Sequence, residues 1–232
     1  MNSVSKILLA CLRVLGLVTA CLPTPSASTR VPTRGMGPTV PRVYDPDARP
    51  VVIDTDMAAD DWMAILYLLQ RSDIRVLAIS VTGTGEAHCG PGVTNAAGLV
   101  ALAEHEPVPV ACGSETPLEG NHAFPPDWRV AMDDMLGLDL PAGTNPWIGG
   151  SAVDLLAATI ESAPGPVTVL ALGPLTNLGE LVTDRPDLLN KIEMIYVMGG
   201  AVHVPGNLQA ADNGNQAAEW NIYVDPHAAN LM

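Results

Sequence analysis

The 232 residues carry a formal net charge of −14, with 48% hydrophobic and only 16% charged residues. Such acidity repels phosphate backbones and argues against nucleic acid as a partner. The apolar share suffices for a sizeable core, which excludes disorder along the whole chain, and the length fits one large α/β domain or two small ones.

Residues 1–21 read as an export signal. Lys6 precedes an apolar run over 7–12 and 14–18, interrupted by Arg13. That run is too short and too broken for a membrane span. Val18-Thr19-Ala20-Cys21 resembles a bacterial lipoprotein cleavage box, in which Cys21 would carry a lipid anchor. An ordinary secretory signal or a misassigned start codon fits the same residues. Residues 22–48 are rich in Pro, Ser, Thr and Arg and read as a linker, so the globular part is 49–232.

The globular part alternates. Val51-Val52-Ile53 is a short apolar run that predicts a buried strand. Residues 61–70 have helical spacing, with Trp62, Ile65, Leu66 and Leu69 on one face. Strands are predicted over 75–81, 108–111, 167–172 and 192–197, and helices over 93–103, 151–162 and 175–181. Ser151 is a fitting N-cap. Residues 120–146 read as a loop, with Pro125, Pro126, Pro141 and Pro146. This alternation predicts an α/β fold: an open, mostly parallel sheet with helices on both faces. Ligands bind such sheets outside the carboxyl ends of the strands. Cys89 and Cys112 either pair outside the cytoplasm or remain two small thiols.

Asp54, Asp56, Asp60 and Asp61 fall within eight residues, after the first strand and at the start of a helix. Helix capping by Asp60 explains one or two of them. Four repel one another by about 1 kcal/mol or more per pair at 4–6 Å. A cation, a proton or a hydrogen-bond network must offset this. Oxygen ligands point to Ca²⁺ or Mg²⁺ rather than zinc. A haloacid-dehalogenase-type phosphatase also opens with Asp-x-Asp, but Ala58 occupies its Thr/Val position and Asp60-Asp61 would be unexplained.

The stretch VVIDTDMAADDWMAIL (51–66) resembles the signature DTDPGxDDxxA of the inosine–uridine-preferring nucleoside hydrolases. It departs at Met57-Ala58, where that family usually has Pro-Gly. Three later stretches resemble the same family in the same order: ALGPLTNL (171–178), YVMGG (196–200) and NLQAADNGNQAAEWNIYVDPHAA (207–229). The resemblance implies a Rossmann-like nucleoside hydrolase fold that cleaves ribonucleosides with a calcium-bound water. Asp56, Asp61 and the backbone carbonyl of Thr176 would hold Ca²⁺, and Asp56 would act as general base. Asp60, Met198, Asn207, Glu219 and Asn221 would hold ribose, with Asp54 supporting the site from behind. Each has a blander reading: a strand-to-helix turn at Thr176, core for Met198, and a polar loop before a helix near Pro226.

The family's Asn after the second strand has no match in TGTGEAHCGPGVTN (82–95); Thr84, Glu86 or Asn95 could substitute. His88 reads as a loop histidine near the pocket rim, and His203 as a residue that could approach the pocket. The family tends to form dimers or tetramers, and its domain is longer, so the resemblance implies that 49–232 is incomplete at the C-terminus. The competing expectation is a nucleoside- or sugar-binding lipoprotein without catalysis.

Overall fold

The computed structural model describes residues 42–208 and 214–232. The signal, Cys21 and the linker up to residue 41 lie outside the described residues. Residues 42–48, expected as the end of the linker, already hold contacts. Asp45 N–H donates to the Ser72 carbonyl, and Tyr44 Oη lies 2.7 Å from His105 Nε2.

Five strands form one sheet: β1 (Arg49–Thr55), β2 (Ile74–Val81), β3 (Val110–Cys112), β4 (Val167–Ala171) and β5 (Ile192–Val197). All neighbours are parallel, in the order β3-β2-β1-β4-β5. Among the described residues seven α-helices connect or follow them: α1 (Ala59–Leu69), α2 (Cys89–Leu102), α3 (Pro126–Asp133), α4 (Ala152–Ser162), α5 (Thr176–Asp184), α6 (Trp220–Val224) and α7 (Pro226–Leu231). This is the expected open α/β sheet.

The period-2 pattern of β1 explains why both faces are covered. Val51 and Ile53 pack with Trp62, Ile65 and Leu69 of α1 and with Leu99 of α2. Val52 faces the other way, against Leu156 and Ile160 of α4 and Leu178 of α5. Burying each such side chain contributes about 1.5–3 kcal/mol. On β5 only Ile192 and Ile195 join the core, while Met194, Tyr196 and Val197 are exposed.

Several element ends differ from expectation. Helix α1 starts at Ala59, with Ala58 at the N-cap position and no side-chain cap, so Asp60 and Asp61 sit in the first turn instead of capping it. They still favour the helix dipole. Helix α2 starts at Cys89 and takes Gly90, Pro91 and Gly92 into its first turns. The segment expected as a loop holds α3, because Pro126 at the first helical turn opens a helix and does not break one. The polar loop before α7 contains α6, capped by Glu219. Ser151 caps α4 as expected, in a reciprocal box with Asp154.

The chain runs from β1 outward to β3, then returns to the other side of β1 through β4 and β5. The order reverses between β1 and β4. A crevice outside the carboxyl ends of those two strands is the natural ligand position of such a sheet.

Candidate active site

Strand β1 delivers Asp54 to that crevice. Asp54 pairs in register with Ser80 of β2 and Ala171 of β4. Its Oδ1 accepts from Ser80 Oγ at 2.6 Å and from Asn177 Nδ2 at 2.8 Å, while Oδ2 is buried without a partner. Burial pushes its carboxyl up to about 7, against the two hydrogen bonds that favour the charged form. Asp54 therefore ties three elements together behind the crevice.

Asp56 and Asp61 are buried and lie within hydrogen-bonding reach of each other. Thr55 Oγ1 donates to Asp61 Oδ2 at 2.6 Å, and Glu86 N–H donates to Asp56 Oδ2 at 3.1 Å. Burial pushes Asp56 up to about 6, with the hydrogen bonds holding it down. Burial first, and the Asp56 charge second, push Asp61 well above the usual carboxylate range. Asp60 is exposed beside them, and its charge acts on both. None of the four carboxylates forms an ion pair with a basic side chain among the described residues.

Glycines shape this pocket. A Cβ on Gly85 would stand 2.0 Å from Asp56 Cβ, and one on Gly173 2.7 Å from the same atom. Asp56 is thus clamped between the loop after β2 and the turn after β4, and only residues without a side chain fit on either side.

Thr176 opens α5 fully buried. Its hydroxyl donates to Asp225 Oδ2 at 2.8 Å and shares a hydrogen bond with Thr84 Oγ1 at 2.9 Å. Sequence reasoning gave Asp225 no role. It is completely buried, and it also accepts from Leu118 N–H and caps α7 through Ala228 N–H. An Asp directly before a helix-opening Pro was the available signal.

The later motif residues converge on the same end of the sheet. Asn221 Nδ2 donates to the carbonyls of Leu172 at 2.8 Å and Met198 at 3.0 Å, bridging the ends of β4 and β5. Glu219 accepts from the N–H groups of Gly200, Asn221 and Ile222. Asn207 Oδ1 accepts from Trp220 N–H at 2.9 Å. Met198 is partly exposed at the rim. With its amide hydrogens engaged, Asn221 can offer a ligand only its Oδ1 acceptor. Glu219 is likewise acceptor-only, so these two positions suit a ligand that donates from hydroxyls. His203 is exposed, with left-handed backbone.

Residues 51–232 match the family model for inosine-uridine preferring nucleoside hydrolases. This chain belongs to that family. It is 35% identical over 182 residues to a probable uridine nucleosidase 1 of Oryza sativa, covering 78% of this chain and 54% of that protein. It is 34% identical over 189 residues to the pyrimidine-specific ribonucleoside hydrolase RihA of Shewanella oneidensis, covering 79% of this chain and 55% of that protein. Among solved structures, a plant nucleoside hydrolase, PpNRh1, superposes with a TM-score of 0.67 at 35% identity, covering 79% of this chain and 56% of that one. An inosine-uridine preferring nucleoside hydrolase from Bacillus anthracis shares the fold, with a TM-score of 0.67 at 24% identity over 79% of this chain and 60% of that one. The chain spans about half the length of the curated relatives it matches.

Two departures from the nucleoside hydrolase pattern now have a structural reading. Met57, at the family's Pro position, takes φ 61 and is buried. Its N–H donates to Thr55 Oγ1 at 2.9 Å, and its carbonyl accepts from Trp62 Nε1. In the 82–95 stretch, Thr84 is buried and bonded to Thr82 and Thr176, and Asn95 donates to the Asp133 carbonyl at 3.0 Å. That leaves Glu86. Its carboxyl has no hydrogen-bond or ion-pair partner among the described residues, and burial, then the charges of Asp56 and Asp60, push it up to about 7. His88, at the N-cap position of α2, lies 2.7 Å from Asp133 through Nδ1. Cys89 and Cys112 are joined in a disulfide.

Among the described residues no three His, Cys, Asp or Glu side chains form a group that could hold a metal alone. The donor set is two adjacent, buried carboxylates without a basic partner. Their charge and hard oxygen atoms fit a divalent cation such as Ca²⁺, with further ligands from backbone oxygen and water.

Proposed function

We propose that this site hydrolyses the N-glycosidic bond of a ribonucleoside, giving ribose and the free base. The observation that carries the reading is the buried Asp56–Asp61 pair, in a member of the nucleoside hydrolase family. A calcium ion held by Asp56, Asp61 and the Thr176 carbonyl would supply a Lewis acid that lowers the pKa of a water. Asp56 takes the proton of the attacking water, acting as general base.

The remaining residues hold and orient the sugar. Asp60, Glu219 and the Asn221 carbonyl oxygen accept from ribose hydroxyls, with Asn207 and Met198 completing the wall. Glu86 is the loop residue that joins this set in place of the family's Asn. As the C–N bond lengthens, positive charge develops on the sugar ring, and the surrounding carboxylates stabilise it. Asp54 fixes β1, β2 and α5 behind the site through Ser80 and Asn177.

Uridine is the substrate to try first, because the curated relatives at 34–35% identity are named a probable uridine nucleosidase and a pyrimidine-specific ribonucleoside hydrolase. The test is ribose release from uridine, cytidine, inosine and adenosine, with calcium and with excess chelator. Chelator-sensitive release, lowered about 10²–10⁴-fold by Asp56→Asn, is expected. Undiminished release in chelator would refute the metal assignment. Saturable nucleoside binding without release from any substrate would replace hydrolysis with a binding role.

The same reading includes export, attachment through Cys21 and assembly as a homodimer or homotetramer. A Cys89–Cys112 disulfide supports an oxidising compartment. Membrane fractionation of Cys21→Ser and light scattering of the purified chain test these points.

A further inference from the structure

We propose that the Cys89–Cys112 disulfide is a thiol-sensitive lock on the active site: reducing it loosens the 82–88 loop and weakens the grip of Asp56 and Asp61 on a divalent cation. The inference rests on the reading of those two carboxylates as a cation site.

The bond joins the first residue of α2 to the last residue of β3, 23 positions apart. The loop just before Cys89 is the one that encloses Asp56. Glu86 N–H donates to Asp56 Oδ2 at 3.1 Å, and Ala87 N–H to the Asp56 carbonyl at 3.0 Å. Gly85 leaves no room for a Cβ against Asp56. Thr84 bonds the Thr176 hydroxyl. Any displacement of this loop is therefore felt at Asp56 and at the start of α5.

The disulfide ties the start of α2 covalently to β3. His88 provides no side-chain cap, and Gly90, Pro91 and Gly92 fill the opening turns. Glycine favours the unfolded ensemble. Hydrogen bonds hold it as well, and His88 meets Asp133 through both its N–H and Nδ1. Glu115 accepts from Cys89 N–H at 2.9 Å, Asp133 accepts from His88 N–H at 2.8 Å, and Arg129 Nη2 donates to the Gly83 carbonyl at 2.7 Å. Such bonds can break and reform one at a time, whereas the disulfide holds its two ends together until it is reduced. On the far side of the bond, Gly113 N–H donates to the Val81 carbonyl, so Cys112 is anchored to the central sheet.

Both cysteines are partly exposed. The reaction is a balanced exchange. The dithiol gives two electrons and two protons to the Cys89 Sγ–Cys112 Sγ bond, leaving two thiols, and closes to its own disulfide. Air or an oxidised dithiol reverses it.

The test uses the full chain, oxidised or treated with dithiothreitol, with the state of Cys89 and Cys112 verified by peptide mapping. Hydrogen exchange over 82–88 and calcium affinity by titration calorimetry are measured in both states. Reduction is expected to speed loop exchange at least tenfold and to raise the calcium Kd at least fivefold, with both effects reversed on reoxidation. The double variant Cys89→Ser/Cys112→Ser should match the reduced chain and ignore dithiothreitol; if it fails to fold, the wild-type pair of states decides. Unchanged loop exchange after verified reduction overturns the lock, as does a loosened loop with unchanged calcium affinity. If the oxidised chain binds no calcium, the cation reading fails instead, and loop exchange alone decides whether the disulfide is a lock.

Discussion

Trp62 donates its indole N–H to the carbonyl of Met57 at 2.7 Å. The bond closes the turn between β1 and α1 at a residue with left-handed φ and a buried side chain. Such backbone in a non-glycine residue persists only where its surroundings fix it. Trp62→Phe keeps most of the ring and removes the donor. It should destabilise the chain by about 1–3 kcal/mol, because a buried carbonyl loses its partner. Urea denaturation followed by circular dichroism measures this; an unchanged midpoint would mean that the turn holds itself.

Stability without a cation should fall as pH rises. Asp54, Asp56 and Glu86 bind protons more tightly when folded, with values pushed up to about 7, 6 and 7. Between the unfolded carboxylate range near 4 and these values, the native state holds more protons than the unfolded one, so unfolding free energy decreases with pH. In chelator, thermal scans from pH 5 to pH 7.5 should give a decreasing Tm from these groups. Saturating calcium should flatten the trend. A Tm that rises with pH in chelator and falls in Asp54→Asn would contradict the assignment.

Gly85→Ala should displace Asp56. The new Cβ would stand 2.0 Å from Asp56 Cβ, closer than any real contact. At least a tenfold loss of ribose release is expected, along with weaker calcium binding. Gly165→Ala, at a position with open space, is the control. Equal activity in both variants would show that the loop can move away freely.

Asn221→Ala would strip donors from the carbonyls of Leu172 and Met198. The buried Leu172 carbonyl left unmet costs about 1–3 kcal/mol, while the carbonyl of the exposed Met198 can turn to water. The variant should lose stability together with sugar affinity, as read by a lowered Tm and a raised KM. A raised KM at unchanged Tm would assign Asn221 to the ligand alone.

Replacing both Cys89 and Cys112 by Ser should cost about 3 kcal/mol through a less constrained unfolded chain, given the 23-residue separation. Guanidinium denaturation of oxidised wild type and variant gives the difference.

Much of this was readable from residue order. The apolar run of β1 and the helical face of Trp62, Ile65 and Leu69 follow from period alone, and the Asp cluster lies within a few positions of itself. Other parts depended on pairings that no local pattern encodes. Helix α3 was hidden because Pro126 can open a helix or end one, and its neighbouring prolines favoured the second reading. Thr84, Glu86 and Asn95 are alike candidates in local sequence, and they differ only through partners that lie elsewhere in the chain. Asp225 contacts Thr176 across 49 positions and Leu118 across 107. Its buried hydrogen bonds leave no trace in nearby sequence.

The hydrogen bond from Asn177 to Asp54 spans 123 positions, and that between Thr84 and Thr176 spans 92. Segments that distant must find each other before either bond exists, and the entropy of closing such loops delays them. Helices α1 and α2 can take shape from local sequence, but the crevice between β1 and β4 cannot. Its chemistry therefore arrives late in folding. A nascent or partly opened molecule would carry all the acidic residues without the geometry that makes them act together.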